Sequence, residues 1–112
     1  PLLVAVIASE TNFPKLEEIR TNNLKSIGLL EGKPTAKPVA ISWMNYNIHG
    51  NEAVSSESVM QVMHDLLDPR KATSRQILSN TVVVLDPCAN PDGFDRYVNW
   101  FNQKVGAVAN PN

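Results

Sequence analysis

Residues 47–52 read Asn47-Ile48-His49-Gly50-Asn51-Glu52. An apolar run, Val39 to Met44, leads into this stretch, and an amphipathic one, Ala53 to Leu67, leads out. That change of pattern marks a strand end passing into a helix. His49 offers an imidazole nitrogen and Glu52 a carboxylate oxygen. Both are good donors to Zn²⁺, and catalytic zinc sites often take three protein ligands and leave one position for water or substrate. Three residues of separation across a tight strand-to-helix turn let both side chains face one ion. The same pair also fits a plainer reading, a polar His at a strand end and a Glu in the first helical turn, where the macrodipole favours negative charge.

A second stretch bears on that choice. Asn90-Pro91-Asp92-Gly93 follows another apolar run, Val82 to Leu85. His49-Gly50-Asn51-Glu52, followed about forty residues on by Asn90-Pro91-Asp92-Gly93, resembles the zinc metallocarboxypeptidases, the family of carboxypeptidase A. The segment running on into Ala53-Val54 looks most like the regulatory branch of that family. The resemblance extends from the first strand to about Gln103. It implies Zn²⁺ bound by His49 and Glu52, and a peptide or protein C-terminus as substrate. Carboxypeptidase A binds its zinc through two His and one Glu. The resemblance therefore also implies a second His ligand, a catalytic Glu and a substrate-anchoring Asn-Arg pair, none of which matches a position in this chain. It favours a secreted or periplasmic location, a point on which composition is silent.

Two departures from the family pattern stand out. Asn51 occupies the place before the ligand Glu where digestive members carry Arg. Ser55-Ser56-Glu57 stands where regulatory members continue Gly-Arg-Glu. The family stabilises the developing oxyanion with an Arg downstream of the second motif. Arg96 is the only Arg there, four residues past Asp92. It is a candidate for that catalytic role, and a surface ion pair with Asp92 or Asp95 fits it equally well. Asp92 and Gly93 read as a turn at the rim, and Asn90 as a group that hydrogen-bonds backbone near the site.

Two other functions share parts of this pattern. Acylases of the aspartoacylase and succinylglutamate desuccinylase type carry His-Gly-Asn-Glu, but their later motif lacks Asp-Gly, so Pro91-Asp92-Gly93 favours the peptidase. A pseudoenzyme that binds peptides without turnover is the third reading, left open by the missing Gly-Arg.

The rest of the chain sets the frame. With 112 residues, 43% hydrophobic and 19% charged, it has the size and balance of one small globular domain. A net charge of −1 gives no sign of a nucleic-acid or membrane-surface partner. No apolar run reaches the ~18 residues of a membrane span. A single cysteine, Cys88, excludes an internal disulfide framework and reads as a small half-buried residue after a strand. Pro1 stands directly before an apolar run, and Val108 to Asn112 read as the middle of a loop. The expectation is that residues 1–112 are the N-terminal part of a longer catalytic domain.

The apolar runs Leu2–Ala8, Val39–Tyr46 and Thr81–Leu85 predict three strands of one sheet, the first buried on both faces. Phe13, Leu16, Ile19, Leu24 and Ile27 predict a first helix, begun near Ser9–Asn12 and stopped at Gly28. Glu31 to Pro38 reads as a surface loop. A second helix runs from about Glu52 to Asp68, with Val59, Val62, Met63 and Leu66 toward the sheet. Met60 and Met63 read as core filler, and His64 lies on a helix flank away from the motif. Arg70 to Ser79 is a basic connection with a short helix, its cations a solvated face. Asp86 to Gly93 reads as a turn-rich loop, with a further helix from Phe94. Strands alternating with helices indicate an α/β fold with a mostly parallel mixed sheet flanked by helices, the carboxypeptidase-like fold in part. Ligand sites in such sheets lie beyond the carboxyl ends of the strands, where His49 and Asn90 both fall.

Overall fold

The computed structural model describes residues 2–35 and 37–105. Pro1, Ala36 and the terminal loop reading at Val108–Asn112 lie outside the described residues. The elements in chain order are β1 (Ala5–Ile7), a 3₁₀ turn (Phe13–Lys15), α1 (Leu16–Ser26), β2 (Ala40–Asn45), α2 (Val54–Leu67), α3 (Ala72–Asn80), β3 (Thr81–Asp86) and α4 (Pro91–Lys104). The fold is α/β, a small mixed sheet flanked by helices.

The strand order is β1-β3-β2. β3 lies in the centre because it is the most continuously apolar and β-branched strand, with Val82, Val83, Leu85 and Asp86 all buried. β2 runs parallel to it through the α2–α3 crossover, from Ala40 opposite Thr81 to Asn45 opposite Asp86. β1 pairs antiparallel on the other side, Ala5 opposite Leu85 and Ile7 opposite Val83. The expectation of a mostly parallel sheet is thus met by one pairing of two. The first strand is also shorter than expected, and of its apolar run only Ile7 is buried while Leu2 to Val4 are exposed. As an edge strand it has a neighbour on one side only, so its apolar length does not translate into burial.

One core forms where β3 meets α2 and α3. Ile7, Val59, Leu78, Val83 and Leu85 are buried together, with Val62, Met63 and Leu66 packed against them. Those α2 residues are the ones its helical spacing assigns to the sheet. Met60 is 60% exposed, so the expected filler role holds for Met63 and fails for Met60. The two lie three positions apart, but only Met63 falls within the stripe that faces β3.

The remaining connections follow from local chemistry. Gly28 adopts φ +76° and ends the first helix, a left-handed conformation that glycine takes without a Cβ penalty. Asn12 does not cap its own helix through its side chain. It is buried, and its Nδ2 donates to the carbonyls of Leu78 and Ser79 at 3.2 and 3.3 Å, tying the start of α1 to the end of α3. At the α2–α3 corner Arg70 pairs with Asp68 at 2.9 Å and Lys71 with Asp65 at 2.6 Å. These basic residues are engaged at the surface, as a solvated face requires. No helix among the described residues is long and apolar enough to cross a membrane.

Candidate metal centre at the β2–α2 junction

β2 ends at Asn45, and the chain must then turn sharply to start α2 at Val54. Asn47 makes the first bend at φ +51°, a region where Asn is enriched among non-glycine residues. It is buried to 2% exposure. Its Nδ2 donates to Cys88 Sγ at 3.3 Å, while Oδ1 has no hydrogen-bond partner among the described residues. The second bend is a turn closed by the Glu52 amide donating to the His49 carbonyl at 2.9 Å. His49 and Glu52 are therefore the two ends of one four-residue turn. Glu52 precedes α2 rather than lying in its first helical turn, which corrects the expected helix start. The amides of Ser55 and Ser56 donate to the carbonyls of Glu52 and Ala53, tight three-residue bonds that lead into the first turn of α2.

The second motif meets the first here. Asn90 caps α4, its Oδ1 accepting from the Gly93 amide at 3.0 Å. Its Nδ2 donates to the Ile48 carbonyl, also at 3.0 Å. The expected backbone hydrogen bond from Asn90 is thus present, and it falls on the residue just before His49. Pro91, Asp92 and Gly93 form the first turn of α4, not the end of a loop. An Asn N-cap followed by Pro at N1 is a strong local start signal, legible in the sequence. Gly50 packs on this turn so closely that an added Cβ would collide with the Gly93 carbonyl. The Tyr46 amide donates to the Asp86 carbonyl, the Ala89 amide to the Tyr46 carbonyl, and Ser56 Oγ to the Pro87 carbonyl at 3.1 Å. The ends of β2 and β3 are thereby joined at several points beside the turn.

His49 and Glu52 are both exposed, and among the described residues neither side chain has a hydrogen-bond or ion-pair partner. An open cleft of about 470 Å³ lies alongside, lined by Asn51, Glu52, Val54, Ser55, Ser58 and Tyr97 among others. A neutral imidazole and a carboxylate are the donor types Zn²⁺ takes. The residues present fit two of the three protein positions of such a site. Among the described residues no group of three His, Cys, Asp or Glu side chains is placed to hold one ion.

The other candidates lie apart. His64 is ten residues into α2, roughly 15 Å along the helix axis from its start. Its Nδ1 lies 3.5 Å from Asp65 Oδ1 at the surface. Arg96 is exposed on α4 and is not among the residues lining the cleft. Among the described residues it forms no ion pair with Asp92 or Asp95. Cys88 is half-buried after β3, as expected. Sequence reading passed over three residues that shape the junction: Asn47, Ser55 and Tyr97. The signal for Asn47 was a residue tolerant of left-handed backbone at a strand end. For Ser55 it was a hydroxyl in the first turn of a helix, a place where Ser side chains bond nearby backbone. Tyr97 gave no signal beyond its helical spacing.

This is an α/β chain with a His and a Glu on the turn beyond a parallel strand, buttressed by a capped helix after the next strand. A profile of the zinc carboxypeptidase family, peptidase M14, matches residues 1–107, and the chain belongs to that family. No curated protein and no solved structure matches the chain.

Proposed function

We propose that this chain carries two zinc ligands, His49 and Glu52, of a metallocarboxypeptidase that hydrolyses the C-terminal peptide bond of peptides. Family membership supports the hydrolase class. The observation that carries the site is the single hydrogen-bonded turn that bears both donors, exposed and unpartnered among the described residues, with Glu52 lining an open cleft. When bound, Zn²⁺ polarises a carbonyl and lowers the pKa of a water to near neutral. His49 must be neutral and Glu52 ionised to act as ligands, so metal affinity falls as either is protonated. Gly50 and Asn90 hold the turn against α4. Arg96, exposed on α4 and outside the cleft lining, takes no part in this reading. The third ligand and the general base lie outside the two motifs, with residues 1–112 as the N-terminal part of the catalytic domain.

The test is metal analysis of the intact protein together with release of a C-terminal amino acid from a blocked dipeptide. His49→Ala and Glu52→Ala should each abolish zinc content and peptidase activity together. Full zinc and full activity in either variant would sink the assignment. Zinc retained in the wild type with turnover of an N-acyl amino acid, and none of the dipeptide, would move the reading to the acylases.

A further inference from the structure

Ser55 joins the two ends of the ligand-bearing segment. Its Oγ accepts from the Asn47 amide at 2.8 Å and donates to the Glu52 carbonyl at 2.8 Å. One hydroxyl thus spans the segment from the residue two before His49 to Glu52 itself. The Asn47 end is buried, 2% exposed, and in left-handed backbone. The Glu52 end is exposed and is otherwise held by its own amide on the His49 carbonyl and by the Ser55 amide on its carbonyl. Ser55 therefore transmits the fixed position of the strand end to the Glu52 peptide. Ser56, the next residue, reaches a different place, the Pro87 carbonyl.

We propose that Ser55 is a positioning residue that sets the geometry of the His49–Glu52 turn for metal binding. The proposal rests on the reading of His49 and Glu52 as ligands. Groups that orient metal ligands typically change affinity 10- to 100-fold when removed.

The experiment measures zinc dissociation in the intact protein by competition with a chelator, with thermal unfolding of the metal-free forms alongside. Ser55→Ala should weaken zinc binding about tenfold or more, in line with other outer groups. Ser55→Thr should restore it to within about twofold, while Ser55→Val, of the same shape without the hydroxyl, should not. Ser56→Ala removes a comparable hydrogen bond off the relay, so it should lower stability and leave zinc affinity unchanged. Equal affinity in the Thr and Val forms would overturn the proposal, even if Ser55→Ala itself proved too unstable to purify. Equal losses of affinity in the Ser55→Ala and Ser56→Ala forms would overturn it as well, reducing Ser55 to general stability. His49→Ala separates the two levels of the argument. If it keeps full zinc affinity, the ligand reading has failed and the clamp falls with it. If it loses zinc while Ser55→Ala does not, the clamp alone is wrong.

Discussion

Gly50 and Gly93 touch backbone to backbone, although 43 residues separate them in sequence. A Cβ built on Gly50 would collide with the Gly93 carbonyl and stand 2.5 Å from the Phe94 amide nitrogen. The obstruction is main chain inside a capped helical turn, so it cannot swing aside as a side chain would. The turn that presents His49 and Glu52 thus leans on the first turn of α4 through a position that accepts no side chain.

Gly50→Ala should therefore cost at least about 2 kcal/mol, as overpacking against fixed backbone does. Chemical denaturation of the wild-type and variant proteins measures it. A loss below about 0.5 kcal/mol would mean that the two turns are not in contact in solution.

Asn90 separates into two roles by substitution. Asn90→Asp keeps an oxygen to accept from the Gly93 amide but has no donor for the Ile48 carbonyl. Asn90→Ala loses both. The alanine form should lose about 1–2 kcal/mol through the cap and the link together. The aspartate form should keep the helix start of α4, read by amide exchange at Gly93, yet loosen Ile48 and the turn beyond it. Equal protection at Gly93 in the two variants would contradict the assignment of the cap.

Leu85 is fully buried near the C-terminal end of β3, in contact with the α2 face through the cluster that includes Val59. Leu85→Ala should cost about 2–5 kcal/mol, the transfer of the side chain plus the cavity it leaves. Trp43 on β2 is 66% exposed, and Trp43→Ala should cost far less. Unfolding curves for the two variants check the order.

The α2–α3 corner should show in the acid limb of stability. Hydrogen bonds from Lys71, then Gln61, hold Asp65 below the ordinary aspartate range, and those from the Arg70 side chain and amide do the same for Asp68. For carboxylates lowered in the folded state, the unfolded chain takes up protons first as pH falls. The contribution is complete above the ordinary value of 3.8 and disappears as pH drops through the lowered folded values. Asp65→Asn and Asp68→Asn should each flatten stability against pH below about pH 4–5, with little change in slope near neutrality. Thermal unfolding across pH 2–7 measures this, and an unchanged acid limb in the double variant would refute it.

The local facts of this protein are written in its sequence. Apolar and β-branched runs placed β2 and β3, the 3.6-residue stripe placed α2 and its buried face, and two short motifs placed a His, a Glu and an Asn beyond strand ends. Each depends on neighbours within a few positions, which is why periodicity and spacing reveal them. The antiparallel direction of β1, the central place of β3 and the contact of Gly50 with Gly93 depend on pairings across forty or more residues, and no local pattern encodes these. The same holds for Asn47 and Ser55. Their residue types suit many turns, and only the folded path brings the Asn47 amide and the Glu52 carbonyl within reach of one hydroxyl.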